Sequence, residues 1–73
     1  METVYITTEY IKLESFLKLA NLVMSGGEAK LLIQDGYVKV NGETCLMRGK
    51  KLYPGDRIEF MGQKYMISIH EAL

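Results

Sequence analysis

Gly36-Tyr37-Val38-Lys39-Val40-Asn41-Gly42 is the stretch on which the fold turns. Val38 and Val40 project to one side of an extended segment and Tyr37 and Lys39 to the other, the alternation of a strand with one buried face. Asn41 and Gly42 then supply two neighbours that tolerate positive φ, as a type I′ hairpin turn requires, so Glu43 to Cys45 should return as the partner strand. Reading backwards, Gly36 is a good left-handed stop for a helix. That helix opens at Ser25-Gly26-Gly27-Glu28, a Ser-x-x-Glu capping box, and carries Ala29, Leu32 and Ile33 as its buried stripe, with Lys30 and Gln34 on another face.

Further upstream, Leu13, Phe16, Leu17 and Ala20 recur at helical spacing and predict a first helix over 13–22. Glu14 and Lys18 share a different face of it as a weak stabilising pair. The two short helices are expected to pack face to face. Val4 to Thr7, a short β-branched and aromatic run, predicts an N-terminal edge strand. Downstream of the hairpin lies a basic loop, Leu46-Met47-Arg48-Gly49-Lys50-Lys51, and then Tyr53-Pro54-Gly55-Asp56, which reads as a type II turn. Ile58 and Phe60 alternate inward, Gly62 and Gln63 offer a tight turn, and Tyr65, Ile67 and Ile69 alternate along a final strand. The fold class expected is α+β: two packed short helices followed by a small, mostly antiparallel twisted β-sheet.

Seventy-three residues, 48% of them apolar and 25% charged, suit one domain over 1–73. A chain this short removes only about 60% of its unfolded surface from water, so a deep substrate cleft is not expected. Cys45 is alone, and a small secreted domain would ordinarily carry several bridges, so a reducing cytoplasmic setting fits. No apolar stretch is long enough to span a bilayer and the N-terminus lacks the pattern of a signal peptide, so no membrane association is expected. The formal net charge is zero, but it is unevenly spread. Lys12, Lys18, Lys30, Lys39, Arg48, Lys50 and Lys51 face Glu14, Glu28, Asp35 and Glu43, a balance of +3 over 12–51. Arg57 and Lys64 against Glu2, Glu9, Asp56, Glu59 and Glu71 leave −3 elsewhere. A positive face and a compensating acidic region can coexist on one domain.

Taken in order, Lys12-Leu13, Phe16-Leu17, Ser25 to Lys30, Ile33 to Gly36, Val38 to Gly42 and Pro54 to Asp56 resemble the signature of the S4 RNA-binding domain over 12–60. The short length, the extra N-terminal strand and the Ser25-Gly26-Gly27 start further resemble stand-alone bacterial S4-like proteins of the YaaA and YbcJ type. The resemblance implies an S4-like (alpha-L) fold and non-catalytic docking on structured RNA, ribosomal RNA or a ribosome-associated particle above all, through a basic groove made by the helices and the hairpin. Carried over by position, the candidate contacts are Lys12, Lys18, Lys30, Lys39, Arg48, Lys50 and Lys51. Cationic side chains at such positions neutralise phosphates and release counterions without reading bases. Secondary candidates are Ser25 and Gly26 at a helix start, Gln34 and Asn41 as readers of ribose or base edges, and Tyr37 and Tyr53 as stacking faces for an unpaired base. Where the family often has a basic residue after the serine, this chain has Gly26, so one phosphate contact is absent there. Each residue also has a plainer reading: solvated lysines, a simple cap at Ser25, a turn former at Asn41, and partial core packing for Tyr37 and Tyr53.

Catalysis is not expected. Cys45 and His70 are the sole obvious pair, one in a predicted strand and the other near a terminus, and no metal-ligand spacing is present. Neither a cofactor nor a small-molecule substrate is therefore expected. A second reading is a small protein-protein adaptor, since Val40 to Glu43 with Pro54 to Asp56 also resembles part of the β-grasp sulfur carriers. Those present a terminal Gly-Gly, whereas His70-Glu71-Ala72-Leu73 stands here, so carrier chemistry is not expected. Ribosomal proteins remain conceivable partners alongside RNA.

Overall fold

The computed structural model describes residues 1–70; Glu71, Ala72 and Leu73, named above with the acidic residues and the terminal sequence, lie outside the described residues. In chain order the elements are β1 (Glu2–Ile6), β2 (Ile11–Lys12), α1 (Leu13–Leu19), α2 (Gly26–Gln34), β3 (Val38–Val40), β4 (Glu43–Thr44), β5 (Lys51–Leu52), β6 (Arg57–Phe60) and β7 (Gln63–Ile69). The larger sheet has the order β1-β7-β6-β3-β4, antiparallel throughout except where β1 runs parallel to β7. β2 and β5 form a separate antiparallel ribbon. The α+β expectation, with its N-terminal edge strand, is met.

The core lies between the helix pair and the inner face of the large sheet. Leu13, Phe16 and Leu17 of α1, Ala29 and Ile33 of α2, Val38 and Val40, Ile58 and Phe60, and Tyr65 and Ile67 are all buried, so the alternation and helical spacing translate directly into one apolar cluster. Phe16 meets Tyr65 edge to face at 6.0 Å between centroids, a favoured aromatic arrangement. Ile69, expected inward, is instead 45% exposed at the end of β7.

Both helices end by the same device. Gly36, at φ 85°, sends its amide to the Ile33 carbonyl while the Tyr37 amide reaches Leu32, a Schellman closure. Asn21, at φ 59°, does the same for α1, with its amide on Lys18 and that of Leu22 on Leu17. This stops α1 at Leu19 rather than at the expected residue 22. The start of α2 is the expected capping box with one change. Ser25 Oγ accepts the Glu28 amide at 3.2 Å, but Glu28 Oε1 accepts the amide of Met24, one residue before the cap, at 3.0 Å.

The hairpin turn at Asn41 and Gly42 has φ of 50° and 89°, as type I′ demands. Asn41 does more than turn the chain. Its Oδ1 accepts the Arg57 amide at 2.9 Å and its Nδ2 donates to Asp56 Oδ1 at 3.1 Å. Asp56 Oδ2 in turn accepts the Tyr53 amide at 2.8 Å, and the Asp56 amide bonds the Tyr53 carbonyl at 2.9 Å, closing the Pro54-Gly55 turn. The tip of one hairpin and the turn leading into the next are thereby locked together. The last turn is centred one residue earlier than expected: Met61 and Gly62 occupy the positive-φ positions, at 50° and 83°, and Gln63 already pairs with Phe60 in β7. Moving the turn keeps Phe60 and Tyr65 on the core face at the expense of an exposed non-glycine residue in a left-handed conformation.

Two outcomes follow. Asp56→Ala removes two acceptors at once and should cost about 1–2 kcal/mol, lowering Tm by roughly 5–10 °C in thermal denaturation followed by circular dichroism. A variant that melts with the parent would show that the lock is dispensable. Met61→Asn, which recreates the preferred Asn-Gly turn, should raise stability by about 0.5–1 kcal/mol in urea denaturation; a lowered midpoint would count against strain at this turn.

Candidate nucleic-acid interface

All seven basic candidates, Lys12, Lys18, Lys30, Lys39, Arg48, Lys50 and Lys51, are exposed, but the fold distributes them over more than one surface. Four are gathered around the beginning of α1. Lys12 has extended backbone angles and makes no side-chain cap, so the first amides of α1 need partners from elsewhere. The basic loop supplies them: the Leu13 amide donates to the Lys50 carbonyl at 2.9 Å and the Glu14 amide to the Arg48 carbonyl at 3.0 Å. The β2–β5 ribbon then sets Lys12 directly opposite Lys51.

Placing two ammonium groups across from each other on an antiparallel pair is destabilising by itself. The repulsion is partly met by Tyr10, whose ring centre lies 4.8 Å from Lys51 Nζ, a cation–π contact. An arrangement that concentrates positive charge at some cost to stability suits an anionic partner. Lys50 also lines a shallow depression with Val40, Asn41, Glu43, Thr44, Cys45 and Met47, so the loop reaches from the start of α1 to the β3–β4 hairpin.

Lys39 stands apart from this cluster. On the outer face of the sheet it pairs across to Glu59 on β6 and to Thr44 on β4, and Glu59 pairs onward to Lys64. Its field is therefore offset by a neighbouring carboxylate that no residue supplies between Lys12 and Lys51. Lys18 sits in the last turn of α1, where a cation also complements the helix dipole, and Lys30 lies midway along α2. Arg57 and Lys64, left out of the sequence-based set, share the outer sheet face with Lys39; the strict alternation of β6 and β7 is the signal that would have placed them there.

Among the secondary candidates, Ser25 Oγ is engaged in capping and both Asn41 side-chain atoms are engaged in the lock with Asp56 and Arg57. Gln34 and Tyr37 are exposed at the end of α2. A Cβ at Gly26 would meet nothing within 4 Å, so packing does not demand glycine there. Cys45 lies just past β4, its thiol donating to the Met47 carbonyl at 3.7 Å, and His70 lies past β7 with its ring edge-on to Tyr5 at 6.2 Å. No helix of the described residues is long and apolar enough to cross a membrane.

Comparison with known proteins agrees with this architecture. The solution structure of YbcJ from E. coli, whose description names an alpha-L motif involved in RNA binding, superimposes with a TM-score of 0.70 at 29% identity, covering 93% of this chain and 87% of that one. The 30S ribosomal protein S4e of Thermoplasma acidophilum superimposes with a TM-score of 0.62 at 25% identity over 82% of this chain, which spans only 32% of the ribosomal protein's length. In sequence, the chain is 49% identical over 57 residues to the probable ribosome maturation protein RlbA of Bacillus subtilis (strain 168), covering 78% of this chain and 80% of that relative. The S4 domain family matches residues 4–68, and the chain belongs to that family.

Proposed function

We propose that this protein is a non-catalytic RNA-binding module that docks on structured RNA, ribosomal RNA or a ribosome-associated particle, in the cytoplasm. The observation that carries the reading is the opposition of Lys12 and Lys51 on a ribbon whose loop carbonyls, from Arg48 and Lys50, hold the first amides of α1. The printed names of relatives, a ribosome maturation protein, a 30S ribosomal protein and a protein with an RNA-binding motif, support the class of partner.

Lys12, Arg48, Lys50 and Lys51 form the principal phosphate contacts. Lys18, Lys30 and Lys39 extend the surface, Lys39 more weakly because Glu59 opposes it. Each cation that meets a phosphate displaces condensed counterions, so affinity comes from charge, and the rigid spacing of the cations selects the geometry of the RNA. Base edges in an RNA duplex are hidden in a deep groove, which leaves shape and the backbone as what a small rigid surface can read.

The test is binding to hairpin fragments of ribosomal RNA and to a matched DNA duplex across a salt series, by fluorescence anisotropy. RNA should be preferred, with log affinity falling against log salt at a slope of about −3, as for four neutralised phosphates. The double variant Lys12→Gln, Lys51→Gln should weaken binding and reduce the slope to about −1.5. It should also melt close to the parent, since relief of an opposed like-charge pair offsets loss of the Lys51–Tyr10 contact. Undiminished affinity in the folded double variant would remove this surface from the interface. Absence of binding to either nucleic acid at low salt would instead favour a protein partner, for which exposed Leu46 and Met47 beside Lys50 offer apolar contact.

A further inference from the structure

The β2–β5 ribbon carries a second chemistry beside its lysines. Tyr10-Ile11-Lys12 and Lys51-Leu52-Tyr53 are the same pattern written in opposite directions. An antiparallel pairing of Ile11 with Leu52 and Lys12 with Lys51 therefore places like beside like. Leu52 is fully buried and Ile11 packs against the core, so their side chains define the inner face of the ribbon. The residues on either side of them alternate to the outer face. The outer face is thus a two-by-two arrangement: Lys12 opposite Lys51, and one step along, Tyr10 beside Tyr53, with ring centroids 5.9 Å apart at 48°. Lys51 Nζ lies diagonally over the Tyr10 ring at 4.8 Å.

The arrangement is held from both ends. Thr8 Oγ1 donates to the Tyr10 carbonyl at 2.8 Å, and the Tyr53 amide and carbonyl are both taken by Asp56. Tyr53 keeps 43% of its surface exposed. Two aromatic rings fixed at the surface have no need of two adjacent lysines for folding, and two opposed lysines gain nothing in stability from one another. A ligand that offers an anion and a flat π-face a short distance apart uses both rows. The rows lie about 7 Å apart along the ribbon.

We propose that this face is a binding site for an unpaired nucleotide, with its phosphate held between Lys12 and Lys51 and its base stacked on Tyr53, Tyr10 serving to hold the Tyr53 ring in place. The site rests on the RNA-binding reading above and narrows it: the RNA recognised contains a bulged or looped-out nucleotide next to a helix. Because every base has a π-face, the site favours unpaired over paired nucleotides with little preference among bases.

The experiment uses two RNA hairpins identical except that one carries a single bulged 2-aminopurine. Wild-type protein should bind the bulged hairpin about ten-fold more tightly, and the 2-aminopurine fluorescence should change on binding as the base stacks. Tyr53→Ala should abolish that preference and the fluorescence change while leaving affinity for the fully paired hairpin within about two-fold, since the lysines remain. Tyr53→Phe should retain both signals. Tyr53→Leu, which keeps apolar bulk without a π-face, should behave as Tyr53→Ala does and serves if the alanine variant fails to fold. Equal wild-type affinity for the two hairpins, or a preference that survives in the leucine variant, would overturn the nucleotide site while leaving RNA binding intact. Failure of the wild type to bind either hairpin at low salt would overturn the RNA reading, and the site with it.

Discussion

Two backbone hydrogen bonds, from Leu13 to Lys50 and from Glu14 to Arg48, organise the half of the molecule that carries the cluster of cations. Helix α1 has a lysine, Lys12, at the N-cap position rather than serine, threonine, aspartate or asparagine, and that lysine makes no side-chain cap. Free amides at a helix start must find acceptors, and here a loop from more than thirty positions later provides them. The same contact fixes the path of a loop that has no regular structure between β4 and β5. The helix gains its cap, the loop gains its position, and the cations on both become neighbours because of it. A substitution that altered the loop backbone would thus disturb the helix and the charge cluster together.

Electrostatics distinguishes the surfaces that this arrangement creates. On the outer face of the sheet, Lys39, Glu59 and Lys64 alternate in sign across three strands, so each of these lysines has a carboxylate as its cross-strand neighbour. On the β2–β5 ribbon the two lysines are opposed with no carboxylate between their paired positions, and relief comes from an aromatic ring instead. A ring quadrupole steadies one ammonium without neutralising it, so the cluster stays positive toward a partner. A formal net charge of zero is therefore compatible with polyanion binding, because the field close to a surface is set by local neighbours within a Debye length of about 8–10 Å rather than by the total.

Much of the fold was legible because local signals agreed with each other. The alternation around Val38 and Val40, the Asn41-Gly42 turn, the Ser25 cap and the Gly36 stop each had one sensible reading, and they were mutually consistent. The misjudged elements have separate causes. The end of α1 turned on Asn21 adopting a left-handed conformation, which asparagine tolerates but does not announce. The β2–β5 ribbon has only two residues per strand, too few for periodicity to register, although the inverted Tyr-Ile-Lys and Lys-Leu-Tyr triplets were present to be compared. The turn at Met61 moved by one residue because keeping Phe60 and Tyr65 in the core outweighs the strain of a non-glycine residue. The candidate site was legible as a set of cations, but not as a geometry, since charge at a position says nothing about which neighbour it will face.

The residues that make the family recognisable are largely consumed by architecture. Asn41, seen in sequence as a possible reader of RNA, instead bonds Asp56 and the Arg57 amide, and Asp56 in turn accepts the Tyr53 amide. This link explains why a Val-Asn-Gly hairpin and a Pro-Gly-Asp turn occur together in one chain: each presents the partner that the other requires. Ser25 and Glu28 are likewise taken up by the start of α2. On the proposed RNA-binding reading, recognition falls to side chains that the scaffold holds by their backbones while leaving their ends free. Lys12, Lys50, Lys51 and Tyr53 meet that condition: each has a main-chain group fixed by a strand pairing, a helix cap or a turn, and each side chain is exposed. On that reading, rigid backbone support under free cationic and aromatic ends is what makes a domain without a deep cleft selective, because the spacing of its contacts is settled before the partner arrives.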